Sequence, residues 1–310
     1  LNAALAAYIR RVGDPKKGRR VGYPRFKPHQ RFDQVLFVPG DGAKWEVANV
    51  GRWAHASFQV VGRVKVYQHR PVVGRIKTLQ LKREGRRWYV IVVTETEPVA
   101  LPPTGRSVGV DLGVARFLTT SDGEVVANPR FLDATRERIA DLQRRKARAR
   151  PGSGNCRRLR RALANEWRKV RYQRRDFHHK TARALVESND AIALEDLHVD
   201  SLAASARGTV EVPGRNVAAK AGLNRSILDA GWGQFVSILR AKAEDAGRTW
   251  IEVNPRHTSD GCEKCGYAVR ENRVTQAEFV CQRCAHRAQA DEHAARNILR
   301  AGLALHAHAA

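Results

Sequence analysis

The sequence predicts a mixed α/β fold, with a β-rich domain ahead of it and a small metal-held ribbon near its end. Three observations carry that expectation. Before residue 105 the apolar residues come in short β-branched and aromatic runs broken by Gly and Pro; after it, short apolar strands alternate with long helical patterns; and two closely spaced cysteine pairs lie at 262–284. In chain order, Val35 to Val38, Val60 to Val66 and Trp88 to Thr94 read as strands, with a hairpin turn at Glu84-Gly85-Arg86. Glu97 to Gly105, with three Pro and one Thr, reads as a linker and puts a boundary near 105. Ser107 to Val114 is then a buried strand, and Phe117 to Val126 a hairpin turning at Ser121-Asp122-Gly123. Ala191 to Leu194 and Trp250 to Val253 are further short strands, and Ser226 to Ala246 is a helix between them.

Charge sets the partner. Fifty-six Lys and Arg against 31 Asp and Glu give the 310 residues a formal net charge of +25, which points to a polyanion. The stretch 136–183 holds eighteen Lys and Arg against four Asp and Glu, so +14 of that excess sits in 48 residues. Leu159, Leu163, Trp167 and Val170 recur there at helical spacing, so the stretch is expected to form a basic helical hairpin over about 133–188, turning at Pro151-Gly152-Ser153-Gly154. A solvated helix face would carry compensating acids. Nucleic-acid contact is therefore expected from Arg144, Arg145, Lys146, Arg157, Arg158, Arg160, Arg161, Arg168, Lys169, Arg171, Arg174 and Arg175. No apolar run approaches the roughly 18 residues of a membrane span. Leu1 to Arg20 lacks the apolar core of a secretory signal, so export is not expected.

Cys262-Glu263-Lys264-Cys265 and Cys281-Gln282-Arg283-Cys284 are two CxxC pairs separated by fifteen residues, a spacing suited to a four-thiolate zinc site. Four sulfurs leave no open coordination position, so the expected ion is structural and holds a ribbon with too little core to fold alone. Gly266 can supply the positive φ of the first knuckle. His257 and His286 flank the ribbon as possible substitutes, more in keeping with outer positions. Cys156, beside Arg157 and Arg158, has no partner for nucleophilic chemistry in view.

Three carboxylates stand alone in apolar surroundings. Asp111 interrupts Val108-Gly109-Val110-Asp111-Leu112-Gly113-Val114, Glu195 ends Ala191-Ile192-Ala193-Leu194, and Asp291 opens a helical pattern through Ala294, Ile298 and Leu303. A carboxylate in a buried strand is costly unless a cation compensates it, and hard oxygen donors suit magnesium. Asp196 rivals Glu195, but neighbours on a strand face opposite sides. Taken singly, Asp291 also fits a helix cap and Glu195 a rim ion pair. His178, His179 and His293 are candidate proton carriers, against the plainer role of phosphate contacts.

VGVDLGV at 108–114, IALEDL at 192–197, HTSDGCEKCG at 257–266, FVCQRC at 279–284 and ADEHAARNIL at 290–299 occur in the order seen in the TnpB (OrfB) family, transposon-encoded relatives of small type V CRISPR effectors. VGYPRFK at 21–27 also resembles that family's segment before the second part of its β wedge domain. The resemblance implies an RNase H-like (RuvC) nuclease domain with an inserted zinc ribbon, preceded by a small β-barrel-like wedge domain. It implies a wedge over 1–104, a nuclease core over 105–256, the ribbon over 257–286 and a final helix and tail over 287–310. By the same resemblance, Asp111, Glu195 and Asp291 are catalytic and hold two Mg²⁺ ions, and the four cysteines hold one Zn²⁺. A guide RNA would direct the protein to target DNA in a prokaryotic, nucleoid-associated, cytoplasmic setting. Where the family carries Asn two residues after the last Asp, this chain has His293, and where it carries Asp-Arg before it, Gln289-Ala290. The family normally carries a β strand and a helical recognition segment ahead of the point that matches residue 1. A guided DNA-binding protein without cleavage, and a strand-joining transposase on a similar core, are the competing readings.

Overall fold

The computed structural model of the chain describes residues 2–12, 23, 32–38, 40–46, 52–209 and 212–309, and divides into two compact units, 1–96 and 97–310. Apart from Tyr23, the segment at 21–27 lies outside the described residues.

In the first unit, helix α1 (Asn2–Val12) precedes six strands, β1 (Gln34–Phe37), β2 (Lys44–Glu46), β3 (Trp53–Phe58), β4 (Gly62–Tyr67), β5 (Arg75–Glu84) and β6 (Arg87–Glu95). They pair antiparallel as two sheets, β1-β5-β6 and β2-β3-β4, and Ala56, Phe58 and Leu79 bury a core between them. Among the described residues no ladder joins the two sheets. The two-residue loop Gly85-Arg86 closes β5 onto β6, with Gly85 at φ 64°. The strand expected over Val60 to Val66 begins instead at Gly62. Val60, at φ 72° and fully exposed, is a turn residue between β3 and β4. Its β-branched chemistry favours a strand, and hairpin closure overrides that preference.

The second unit is built on a five-stranded sheet in the order β11-β10-β7-β8-β9, from β7 (Ser107–Leu112), β8 (Arg116–Thr120), β9 (Val125–Ala127), β10 (Ala191–Glu195) and β11 (Thr249–Val253). β7, β8 and β9 run antiparallel as a meander, whereas β10 pairs parallel with both β7 and β11. The basic stretch forms α2 (Arg136–Arg148) and the 35-residue α3 (Gly154–Ser188), whose N-terminus is capped by the Ser153 side chain accepting from the Cys156 N–H at 3.1 Å. Leu159 and Val170 of the apolar stripe are buried; Trp167 is 42% exposed. A short α4 (Val199–Leu202) follows β10.

The single helix expected over 226–246 is two, α5 (Val217–Ala230) and α6 (Trp232–Asp245), broken at Gly231 with φ 68°. Periodicity alone did not show the break, because Gly inside a helical pattern costs only about 1 kcal/mol and is often tolerated. The segment 97–105 has no regular element but is docked. Arg248, 8% exposed, bonds the Pro102 carbonyl and pairs with Asp190, which also accepts the N–H groups of Thr104 and Gly105.

Strand alternation decides which face each residue takes. Val108, Val110, Leu112, Ile192 and Leu194 join the core with Phe235 and Leu239 of α6. Ala191, Ala193, Ile251 and Val253 face the last helix, α7 (Ala290–Ala309), and enclose Ile298. Gly109 belongs to that second face, and a Cβ there would lie 2.1 Å from the Ala295 carbonyl oxygen. Backbone meets backbone at this point, which only glycine permits.

Candidate active site and cysteine ribbon

The parity that turns Gly109 and Ala193 toward α7 also turns Asp111 and Glu195 that way. Asp111 is two residues beyond Gly109 on β7, and Glu195 ends β10 beside it. Asp291 lies in the first turn of α7, where Gln289 supports it: the Gln289 side-chain oxygen accepts the Glu292 N–H at 2.7 Å and its amide reaches Asp291 at 3.3 Å. Three elements far apart in sequence thus bring the three carboxylates within electrostatic reach of one another. Burial, then the charges of Glu195 and Asp291, push the Asp111 carboxyl up to about 7, and burial raises Glu195 as well. Asp196 is exposed.

Two residues that sequence reasoning did not single out complete the cluster. Arg273 pairs with Asp291 at 3.2 Å, and its charge acts to lower both Asp111 and Glu195. The Thr258 hydroxyl, 4% exposed, hydrogen-bonds the Glu195 carboxylate and the Pro255 carbonyl. Nothing in the sequence marks Arg273 among 56 Lys and Arg; its importance comes from where the ribbon places it. One guanidinium among three carboxylates leaves a site short of positive charge and lined with oxygen donors. That donor set fits hard divalent cations.

The ribbon runs from the end of β11 to α7 and contains β12 (Glu278–Val280) paired with β13 (Arg287–Gln289). The Sγ atoms of all four cysteines lie within 4.8 Å of one another, with Cys262 to Cys284 at 3.6 Å and Cys265 to Cys281 at 3.5 Å. Sulfurs bound tetrahedrally at about 2.3 Å from zinc would be roughly 3.8 Å apart, so the set fits that ion. Each pair sits on a matching knuckle. Gly266 N–H bonds the Cys262 carbonyl with Gly266 at φ 72°, and Ala285 N–H bonds the Cys281 carbonyl with Ala285 at φ 56°. Asn272, fully buried, spans the two, donating to the carbonyls of Asp260 and Tyr267 and accepting the Gln282 N–H.

The ribbon is also fastened to α7. Asn297 donates to the carbonyls of Thr258 and Gly261 at 3.0 and 2.7 Å, and His293 Nε2 donates to Gly261 at 2.8 Å. His293 is fully buried and stacks on Phe279 with ring centroids 3.8 Å apart. It is therefore not placed as a proton carrier for the carboxylates. His178 is likewise buried, bonded to the Ala230 carbonyl, and held neutral with its pKa pushed down to about 4 by burial. His257 pairs with Asp260 at 3.0 Å. Cys156 is buried in the helical hairpin.

Of the basic residues, Arg144, Arg145, Arg157, Arg158, Arg160, Arg161, Lys169, Arg171 and Arg175 are exposed along α2 and α3, and Lys146 and Arg168 are partly so. Arg174 differs. It pairs with Asp229 of α5 at 2.6 Å, with its side chain 20% exposed, and so ties the hairpin to the core.

Two families match the chain: one described as a probable transposase, over residues 90–206, and the Cas12f1-like TNB domain, over residues 232–298. The chain belongs to the TnpB (OrfB) family. It is 36% identical to a putative RNA-guided DNA endonuclease, InsQ, of Escherichia coli K12, over 93% of this chain and 70% of that protein. It is 32% identical to a putative RNA-guided DNA endonuclease of Streptomyces pristinaespiralis, over 73% of this chain and about half, 52%, of that protein. Among solved structures, the Cas12f1 complex with single guide RNA and target DNA superposes with a TM-score of 0.53 at 16% identity, covering 96% of this chain and 71% of that one. That likeness concerns the fold. Among the described residues no helix is long and apolar enough to cross a membrane.

Proposed function

We propose that the protein is an RNA-guided DNA endonuclease whose RuvC-like centre is Asp111, Glu195 and Asp291. The convergence of these carboxylates from β7, β10 and α7 is the observation that carries the reading. The sheet order supports it, with a three-stranded meander that continues, through a parallel pairing at its first strand, into β10 and β11. So do the relatives, which are named as endonucleases of this kind.

The chain's own groups divide the work. Asp111, Glu195 and Asp291 would hold Mg²⁺, a reading supported by the crowding of negative charge that raises the Asp111 carboxyl. Magnesium, when bound, polarises a phosphate oxygen and makes its water more acidic. Thr258 fixes the Glu195 carboxylate, and Arg273 is positioned to meet the negative charge of a phosphate that enters between the carboxylates. The exposed arginines of α2 and α3 grip phosphates without reading bases, so sequence choice falls to pairing between guide and target. The four cysteines hold a structural Zn²⁺ that keeps the ribbon, and with it Thr258 and Arg273, in place.

The test is cleavage of a plasmid carrying a matched target by protein co-expressed with the transcript flanking its own gene. Cutting is expected with guide and Mg²⁺, and none with a scrambled guide or EDTA. Binding to the matched target without cutting in Mg²⁺ would overturn the nuclease reading in favour of a guided binding protein.

A further inference from the structure

Beside the four sulfurs lies a second group of donors that the nuclease reading does not use. Glu263, between the two cysteines of the first knuckle, points its carboxylate at two imidazoles: His286, just past the second knuckle, and His293 of α7. His286 Nε2 is 2.8 Å from Glu263 Oε1, His293 Nδ1 is 3.9 Å from the same oxygen, and one donor atom from each residue lies within 4.8 Å of the others.

The tautomer of His293 is set by its other nitrogen. Nε2 faces the Gly261 carbonyl at 2.8 Å, and a carbonyl can only accept; the Asn297 amide nitrogen, 3.2 Å from Nε2, directs its two hydrogens to the Thr258 and Gly261 carbonyls, so Nε2 carries the hydrogen and Nδ1 presents a bare lone pair. His293 is 0% exposed, and Nδ1 has no hydrogen-bond partner. A buried lone pair aimed at a carboxylate oxygen sets two acceptors against each other, an arrangement that costs free energy unless something positive lies between them. Arg296 does not fill that role. Its guanidinium is 3.5 Å from Glu263 Oε1, its side chain is 43% exposed, and it pairs more closely with Glu292. Arg300 bonds the Glu263 backbone carbonyl, not its carboxylate.

We propose that Glu263, His286 and His293 form a second metal site, for a borderline divalent cation such as zinc, on the seam between the cysteine ribbon and α7. Two imidazoles and one carboxylate make a nitrogen and oxygen donor set that leaves a fourth position open, unlike the closed four-sulfur set beside it. The three ligands come from the first knuckle, the stretch after the second and the helix. A bound ion therefore staples both knuckles to the first turn of α7, two residues from Asp291. The inference rests on this geometry and not on the proposed cleavage activity.

The experiment uses the full chain, freed of nucleic acid and dialysed to equilibrium against micromolar zinc. Zinc per chain is then measured by mass spectrometry and its coordination by X-ray absorption. Wild type is expected to hold about two zinc ions with mixed sulfur and nitrogen or oxygen neighbours. Glu263→Gln and His286→Asn should each hold about one, with sulfur neighbours alone, which also shows that the ribbon remains folded. Asp111→Asn should keep both ions. A wild-type chain with one zinc and only sulfur neighbours would overturn the proposal, as would a second ion that survives Glu263→Gln or disappears with Asp111→Asn.

Discussion

The cysteine ribbon and the carboxylate site are neighbours built on opposite principles. The four thiols fall within 23 residues, 262–284, on two local knuckles that need only a hairpin to meet. The three carboxylates are 84 and 96 residues apart and meet only when β7, β10 and α7 have all assembled. With zinc bound, the ribbon would gain stability from its ligands, whereas the carboxylates repel one another and draw on the rest of the fold to stay close. A proposed structural zinc site and a proposed catalytic centre thus lie side by side on the same ribbon and helix. Thr258 and Arg273 join the ribbon to the carboxylates, and His293 and Asn297 join it to α7.

That dependence makes Cys281→Ser the largest perturbation. A structural zinc contributes about 10 kcal/mol or more to a small folding unit. Amide exchange over 257–289 should therefore rise by orders of magnitude in the variant, and cleavage should be lost with it, although no carboxylate has changed. Wild-type cleavage by a variant whose ribbon exchanges freely would separate the two sites.

Gly109→Ala strikes the carboxylate side alone. The added methyl would lie 2.1 Å from the Ala295 carbonyl oxygen and 2.7 Å from the Leu299 nitrogen, both backbone atoms, so α7 must move off the sheet. Overpacking of this kind costs about 3 kcal/mol. Urea unfolding should show that loss, while the four-cysteine ribbon keeps its zinc.

Asp111→Asn should separate activity from stability. The folded-state carboxyl titrates at about 7 against an ordinary 3.8. Without a bound cation, the stability it contributes is full below pH 3.8 and is lost as pH rises through about 7. In magnesium-free buffer at pH 8 the asparagine variant should therefore be more stable than wild type, on the order of 2 kcal/mol after allowing for partial exposure, with a flatter pH profile and no cleavage. Parallel pH profiles for the two proteins would contradict this. The smallest effect is expected at the second knuckle, where Ala285 holds φ 56°. Ala285→Gly should raise the melting midpoint by an amount worth about 0.5 kcal/mol or less, because relief of the left-handed strain is partly offset by a looser unfolded chain.

The same contrast governs what the sequence revealed. Cys262, Cys265, Cys281 and Cys284 were legible because spacing alone sets their geometry. Asp111 and Glu195 stood out as lone charges in apolar strands, and strand alternation correctly placed Glu195 apart from the exposed Asp196. Arg273 and Thr258 were not legible, since their roles come from the path of the ribbon over α7 and not from any local pattern. The break at Gly231 and the turn at Val60 were missed for a related reason. In each, tertiary closure outweighed a local preference that pointed the other way.

The central claim is that three distant carboxylates act as one centre. Guided cleavage rates for Asp111→Asn, Glu195→Gln, Asp291→Asn and the triple variant test it most directly. If they act as a unit, each single change should lower the rate by nearly as much as the triple, a loss of about a thousandfold or more. A single variant that cuts at close to the wild-type rate, while the triple is inactive, would show that the residue in question is not part of the centre.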